Sequence, residues 1–505
     1  MSNSYESLRY RRQFLLSNSA IPELSGWQHR QVGNGHIYAH PDLELTERED
    51  SSSSLVLLGY IFDPSSPAKT NAEILADIHA QISGPEDPLR LLRPYTGRYA
   101  VIFHDPTRDI IVHDPYGVRE IYYCTRPNKV ICASQPNLIA AYSEPRIGFT
   151  RDRDILYFYS HDMRPIRSGR LWVGEETLYQ GVKHLRPNHY VDIRSLTAKR
   201  YWPNKKFEKT DLNRAVELAS AFLKGSLRAV TARYKTMMAV TSGFDSRSLL
   251  AASKDIHDKI YFFINKEKHL TENSPDICVP KEMLGRLKIP FHIHDVGGQV
   301  DEDFREIFLH NTFWAIELLL PTIYNVYFKH HQDKVNILGL GEIGRVYYGQ
   351  APGKLDGYYL ARSLKYGSSY YATSQCEKWL REAFEVARSC EIDIMQLFLW
   401  EELIGNWGVV GNSESDIAIE EFDPYSSHYL GEILMSFDRS QGDLFMGMYN
   451  EMWPELLEHP LNPPASRKES VKQWLARRGL FVPLRRLRYR YDRWRFRRIW
   501  ATPPG

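Results

Sequence analysis

The sequence predicts an α/β protein with an α+β N-terminal part, and three observations carry that expectation. Residues 55–125 form a series of short strand runs broken by turn signals, with one helix among them. After residue 212, apolar strand runs alternate with helical stretches, the pattern of a doubly wound parallel sheet. Thr236-Met-Met-Ala-Val-Thr-Ser-Gly-Phe-Asp-Ser-Arg-Ser-Leu-Leu-Ala-Ala-Ser253 reads as a buried strand, a tight small-residue turn and a helix opening at Asp245. At 505 residues, 43% hydrophobic and 25% charged, the chain is globular in composition and long enough for two or three domains.

The first strand run, Leu55 to Phe62, ends at Asp63-Pro64, and Asn71 to Ile82 has helical spacing through Ile74, Leu75 and Ile78. Two runs joined at Asp105-Pro106, with a further strand after Tyr116-Gly117, are expected to make an antiparallel meander. Residues 151–206 read as a connection between domains. Leu212 to Tyr234 is amphipathic, with Val216, Ala219, Leu223, Leu227 and Val230 on one face. Then follow strand 236–241, helix 245–254, strand Lys259 to Ile264, helix Asp276 to Leu287, strand Phe291 to Val296, a helix from Asp301 and strand Lys334 to Leu338. The near-continuous apolar run in Lys259 to Ile264 is what a strand buried on both faces requires.

Several function classes are disfavoured by composition. The five cysteines are odd in number and lack CxxC spacing, so neither a disulfide framework nor a zinc knuckle is indicated. The start of the sequence shows no signal-peptide pattern. Thr312 to Phe328 is too short to span a bilayer and is interrupted by Glu317, Pro321 and Asn325, so a core helix breaking near Pro321 is expected. A cytoplasmic protein is the reading. Net charge is +2, but the stretch from Arg467 to Arg498 holds thirteen Lys or Arg against Glu469 and Asp492. That tail has Leu480, Leu484, Leu487, Tyr491 and Trp494 at three- and four-residue spacing, a basic amphipathic helix. It could pack on its own domain or a second copy, or lie on an anionic membrane surface; nucleic acid is the least favoured partner.

The turn after the strand at 236–241 carries the chemistry. The backbone N–H groups of Thr241, Ser242 and Gly243 are expected to face a common point, to which the helix N-terminus adds its positive dipole end, making a pyrophosphate site. Asp245 can cap the helix or hold Mg²⁺ against phosphates. The Lys-Ser/Thr ending of a Walker A loop is absent. In an open α/β sheet such a turn stands where ligands bind, at the carboxyl ends of the strands.

These residues resemble the SGGxDS pyrophosphate loop of the asparagine synthetase family. Thr241 stands where the family has Ser and Ser242 where it has the first Gly, while Gly243, Asp245 and Ser246 match. Ser274-Pro275-Asp276 resembles the family's SPD segment near the nucleotide; the alternative is a plain helix cap with Pro at its first position. Ile337 to Gly349 falls where the family has LSGEGSDELFGG, with Gly344 and Arg345 in place of its Asp and Glu. The resemblance implies ATP and Mg²⁺ as cofactors. It implies a nucleotide site of Thr241, Ser242, Gly243, Asp245, Ser246, Ser274, Asp276, Gly341, Glu342 and Arg345, with Asp245 and Glu342 as metal ligands. Trp400-Glu-Glu-Leu-Ile-Gly-Asn-Trp407 and Glu420 to Tyr425 resemble its late helices, where a Glu assists amide closure, so Glu401 or Glu402 is a catalytic candidate, against a solvated helix face. Arg439 and Asn462-Pro463-Pro464 echo its C-terminal part. Lys468 lies near where a lysine closes the site, or is a tail charge. His292 and His294 share a strand face, but no third metal ligand is signalled.

The N-terminal part is similar to the family's glutaminase domain, an Ntn-hydrolase-like antiparallel sandwich, at Gly97, Tyr99, Ala100, Asp105, Asp114, Gly117, Tyr122 and Tyr123. The nucleophilic N-terminal Cys is missing: Ser2 follows Met1, and the first cysteine is Cys124. The resemblance therefore implies a degenerate glutaminase-type domain at 1–150, the connection at 151–206, an ATP-pyrophosphatase domain at 207–466 and the tail at 467–505. The implied function is an AMP-forming carbon–nitrogen ligase that takes no glutamine and acts on a small-molecule, peptide or sugar carboxylate. The alternatives are an inactive scaffold of the same fold and a true glutamine-hydrolysing synthetase.

Overall fold

A computed structural model of the chain describes residues 5–82, 88–163, 171–344, 355–464, 471, 474 and 481–499. In chain order the strands are β1 Phe14–Ser17, β2 Gln28–Val32, β3 Gly35–Ala39, β4 Leu45–Glu49, β5 Ser54–Phe62, β6 Thr96–His104, β7 Asp109–His113, β8 Tyr122–Cys124, β9 Val130–Ala133, β10 Val182–His184, β11 His189–Asp192, β12 Thr197–Arg200, β13 Thr236–Ala239, β14 Ile260–Lys266, β15 His292–Asp295, β16 Val335–Ile337 and β17 Glu420–Phe422.

They make three sheets. Two are antiparallel and six-stranded, in the orders β10-β8-β9-β1-β3-β2 and β12-β11-β7-β6-β5-β4. Phe14, Leu16, Ile37 and Cys132 of the first sheet meet Val56, Leu58, Ala100, Ile102 and Ile111 of the second in one apolar layer. Because side chains alternate along a strand, Leu55, Leu57, Tyr99 and Val101 point the other way, onto Ile74, Leu75 and Ile78 of the helix Asn71–Ile82. β5 is therefore covered on both faces, which is why its sequence is an unbroken apolar run. The expected meander holds only for β5, β6 and β7; β8 crosses into the opposite sheet. The stretch read as an inter-domain connection supplies β10, β11 and β12, so the sandwich runs on to Arg200.

The third sheet is parallel, in the order β15-β14-β13-β16-β17. β13, its first strand in sequence, lies at the centre, and the winding reverses between β13 and β16. Met238, Phe262 and Ile337 face the core that holds the helices Leu212–Arg233 and Phe244–Ala252. Met237 and Phe263 face Phe304, Ile307 and Ile323 on the other side. The strand and helix boundaries lie within two or three residues of the sequence expectations. One element differs in kind: Thr312 to Leu319 is not helical, and the helix starts at Leu320, with Pro321 in its first turn, where a missing N–H costs nothing.

The sandwich is seated on the parallel sheet by buried charge. Arg98 of β6 grips Asp416 with two bonds of 2.6 and 2.8 Å and reaches Glu420 at 2.9 Å. Arg119 bonds both Glu420 oxygens at 3.1 and 3.2 Å, and Arg12 donates to the Asp416 carbonyl at 2.5 Å. Burial alone would raise the Glu420 carboxyl, but Arg119, Arg98 and Arg12 bring it down to about 2. Removing one member of such a network strands the others without water. Arg98→Ala should therefore lower stability by about 3–5 kcal/mol, read as a shift in the urea midpoint. A change within about 0.5 kcal/mol would mean that the network contributes nothing to the seating.

Candidate functional site

The turn 240–243 leaves the carboxyl end of β13 beside that of β16, at the point where the winding reverses and adjacent connections part to opposite faces. The turn does not have the geometry expected from sequence. Its N–H groups are taken by the protein: Thr241 N donates to Ser246 Oγ at 3.1 Å, Ser242 N to Asp276 Oδ1 at 3.1 Å and Gly243 N to Thr241 Oγ1 at 3.1 Å. Ser242 Oγ adds a 2.7 Å bond to the same Asp276 oxygen. The physical reason lies in the hydroxyls. Two glycines in this turn would leave the N–H groups to a ligand, whereas Thr241, Ser242 and Ser246 fold it onto itself and onto Asp276. A phosphate bound here must displace the Asp276 carboxylate from Ser242.

Asp276 thus sits at the turn, on the first turn of the helix Pro275–Arg286. Ser274 does not. Its Oγ accepts from Thr271 N at 2.9 Å and so closes the turn before that helix. On the far side, Asn462 N donates to Ser242 O at 2.9 Å, and Arg247, fully buried, holds the carbonyls of Leu456, His459 and Pro460 at 3.2, 2.8 and 2.9 Å. Arg247 was not singled out from sequence. Its position inside the helix after the turn was the available signal, since a charged residue among Leu249, Leu250 and Ala251 needs buried acceptors.

Opposite stands the turn after β16. A Cβ on Gly341 would lie 2.7 Å from Asp245 Oδ1 and 2.7 Å from Tyr425 Cζ, so the absence of a side chain is what lets the Asp245 carboxylate approach. Asp423, just past β17, accepts from Leu340 N at 3.1 Å and from Tyr425 N at 3.0 Å and so locks this turn to β17. Burial, and then the Asp245 and Asp114 carboxylates, push Asp423 up to about 8 against the opposing N–H groups of Tyr425 and Leu340. The Tyr116 phenol is raised well above its usual range by burial and then by the charges of Asp423, Tyr425, Asp245 and Glu342. Asp423 and Tyr116 are members of the cluster that motif reading did not assign a role.

Gly344 has φ +85°, and a Cβ there would lie 2.7 Å from the Leu434 carbonyl. The residue standing where the resembled family has an acid is thus one that this backbone keeps free of any side chain. Arg345 and Lys468 lie outside the described residues. Gly344→Asp should lose about 2 kcal/mol or more in a melting experiment, from the left-handed backbone and the overlap, and should gain no Mg²⁺ affinity. A stable variant with tighter Mg·ATP binding would contradict that reading.

Glu401 and Glu402 are not on a solvated face, and the structure does not bring them to the turn. Glu401 is fully buried and bonded by Arg200, by Asn188 Nδ2 at 2.9 Å and by Trp379 Nε1 at 2.8 Å. Glu402 accepts from Gly174 N at 3.1 Å and lies 3.0 Å from Arg186 Nε. Their partners come from residues 174–200 and the helix Tyr370–Ser389, so both acids tie the sandwich to the helices. Among the described residues, no group of three His, Cys, Asp or Glu is arranged to hold a metal ion. His294 instead bonds the Tyr261 hydroxyl at 3.0 Å, and His292 stacks on the same ring at 4.1 Å. Two clefts of about 420 and 480 Å³ share Leu89, Tyr201 and Asn204, and no residue of 241–246 lines either of them. At the switch point the Asp245 carboxylate and the glycine turn converge.

Two residues before Asp423, Glu421 is held by Asn336 Nδ2 at 3.1 Å and Asn412 Nδ2 at 2.9 Å, and burial raises it to about 7. A carboxyl raised in the folded state stabilises fully below its unfolded pKa near 4.5, and that contribution is lost as pH rises through about 7. Asn412 Oδ1 is buried without a partner, so a flipped amide can accept from a neutral group at 421. Glu421→Gln should gain on the wild type as pH goes from 5 to 9, by on the order of 3 kcal/mol, in parallel urea titrations. A difference independent of pH would show that Glu421 is ionised throughout.

No protein family and no curated protein matches this chain. Among solved structures it is similar to one described as the allosteric regulatory enzyme of purine biosynthesis, at 13% identity and a TM-score of 0.22, over 54% of this chain and 63% of that one. It is also similar to glutamine phosphoribosylpyrophosphate amidotransferase from B. subtilis complexed with ADP and GMP, at 12% identity and a TM-score of 0.19, over 59% of this chain and 65% of that one. The chain thus spans less than two thirds of either protein, and scores this low do not establish a shared fold.

Proposed function

We propose that the chain binds a nucleoside triphosphate at the β13–β16 switch point and uses it to activate a carboxylate for amide formation. The observation that carries this reading is the convergence of the 240–246 turn, the Asp245 carboxylate and the Gly339–Gly341 turn at the carboxyl ends of two adjacent parallel strands. In the reaction, a substrate carboxylate oxygen attacks the α-phosphorus of ATP, and the bond from that phosphorus to the bridging oxygen of pyrophosphate breaks. An amine nitrogen then attacks the acyl carbon, the bond to AMP breaks and the nitrogen gives up a proton. Thr241, Ser242 and Ser246 would supply donors to the departing pyrophosphate once Asp276 swings off Ser242, and the N-terminus of the helix Phe244–Ala252 favours its charge.

Magnesium fits one requirement of this site: it is bound through one or two carboxylates together with phosphate oxygens, and Asp245 with Glu342 would provide them. When bound, it neutralises charge on the leaving pyrophosphate. The glutaminase step has no support in the sequence. The nitrogen would then be free ammonia or an amine on the substrate.

A second reading is favoured by one observation. The turn is held by four hydrogen bonds, two within itself and two to the acid Asp276, so the chain could keep the fold as a binding scaffold without turnover. Mg·ATP titration by calorimetry separates the readings. The expected result is binding by the wild type, weakened at least about tenfold in Asp245→Ala, roughly the loss of one charge-assisted contact. AMP and pyrophosphate should then be released with a carboxylate and amine pool. Absence of nucleotide binding by the wild type would refute the ligase, and binding without AMP release would leave the scaffold.

A further inference from the structure

The helix Phe481–Ile499 is two-faced, and the structure accounts for only one of its faces. Tyr489, 3% exposed, packs against Tyr358 and Tyr359, and Phe496 lies 4.8 Å from the Tyr358 ring. Asp492 pairs with Arg362 at 2.7 Å, and Arg493 pairs with Asp356. This side is docked on the helix Gly357–Ser363. The opposite side carries Leu487, Tyr491 and Trp494, which are 64%, 60% and 53% exposed. Their spacing of four and three places them on one stripe, half a turn from Tyr489 and Phe496. Arg498 lies over the Trp494 ring at 4.8 Å, and exposed Arg488, Arg490 and Arg495 flank the stripe.

Residues 481–499 hold eight Arg and one acid, and that acid, Asp492, is turned inward to Arg362. An apolar stripe alone would suit many partners. A Leu-Tyr-Trp stripe bordered on both sides by guanidinium groups, with the negative charge removed to the docked face, is complementary to a surface that is anionic at its edge and apolar just beneath. Trp and Tyr settle at the headgroup level, and each cation near an anionic leaflet adds attraction. Among the described residues no helix is long and apolar enough to cross a membrane, so contact of this kind would be by lying on the surface. We propose that the exposed face of this helix docks the protein on an anionic lipid bilayer. The proposal is independent of the nucleotide reading.

The test is co-sedimentation of the full chain with vesicles of phosphatidylcholine alone and of phosphatidylcholine with 30% phosphatidylserine, in 100 mM and 500 mM NaCl. The expected result is pelleting with the anionic vesicles at low salt and release at high salt. Arg490→Gln with Arg495→Gln should weaken partitioning about thirtyfold, and Leu487→Ala with Trp494→Ala at least about tenfold. Both double variants leave Tyr489, Asp492, Arg493 and Phe496 in place, so their melting temperatures should match the wild type. No pelleting, or equal pelleting by wild type and both variants, would overturn the proposal. So would a dimer dispersed by the stripe variant, or a single-stranded oligonucleotide bound through the same residues, with vesicles ignored in either case.

Discussion

Everything at the switch point depends on the buried ion network between the sandwich and the start of β17. Arg98 and Arg119 come from the antiparallel layer, Arg12 from the arm before β1, and Asp416 and Glu420 from the approach to β17. Glu420 is the first residue of that strand. Its position therefore sets where Glu421, Phe422 and Asp423 fall, and Asp423 in turn holds the Leu340 N–H of the glycine turn. Three guanidinium groups against two carboxylates leave a positive surplus, which matches the carbonyl that Arg12 takes from Asp416. Buried charge is a costly way to join layers, but it tolerates no alternative register, because any slip would strand an ion in the core.

The same layer gives the N-terminal sandwich a structural part in the site. Tyr60 donates to the Glu421 carbonyl at 2.6 Å, Phe62 packs on Phe422, and Asp114 accepts from Ser426 Oγ at 2.9 Å. The arm before β1 runs over the parallel-sheet side, with Tyr5 against Phe304 and Phe328 and Tyr10 N on Asn311 Oδ1 at 2.6 Å. The sandwich is thus a structural wall of the candidate site. Removing it would expose β17 and free Asp423 from its burial.

The parallel sheet was legible because its strands are apolar runs with no competing period, and because three of its helices open at a polar residue, Asp211, Ser274 or Asp301. The sandwich was half legible. Strand pairs joined by tight turns, such as β11 and β12, announce themselves locally, but the pairings of β10 with β8 and of β11 with β7 span tens of residues, which periodicity does not encode. The 240–246 stretch was legible as strand, turn and helix and not as a geometry. Strand, small-residue turn and helix place 241–246, whereas the bond from Ser242 to Asp276 spans 34 positions and turns a pyrophosphate cradle into a closed turn. The burial of Glu401 and Glu402 was missed for a related reason: a pair of acids on a helix reads as solvated unless the Arg186 and Arg200 that meet them are known.

The turn after β16 also bears on the charge around Asp245. Gly344 sits in the left-handed region against the Leu434 carbonyl, so the turn after β16 cannot present an acid there. Asp423 approaches the same turn from β17 and sits near Asp245, with burial favouring its neutral form up to about pH 8. With no acid at 344 and Asp423 largely protonated, neither position adds much fixed negative charge around Asp245. A site with fewer fixed anions repels a polyphosphate less but holds a divalent cation less firmly. Nucleotide affinity here should then depend more on donors from the 241–246 turn than on metal, and the Asp276 carboxylate, seated on the Ser242 N–H, is the group that competes for them.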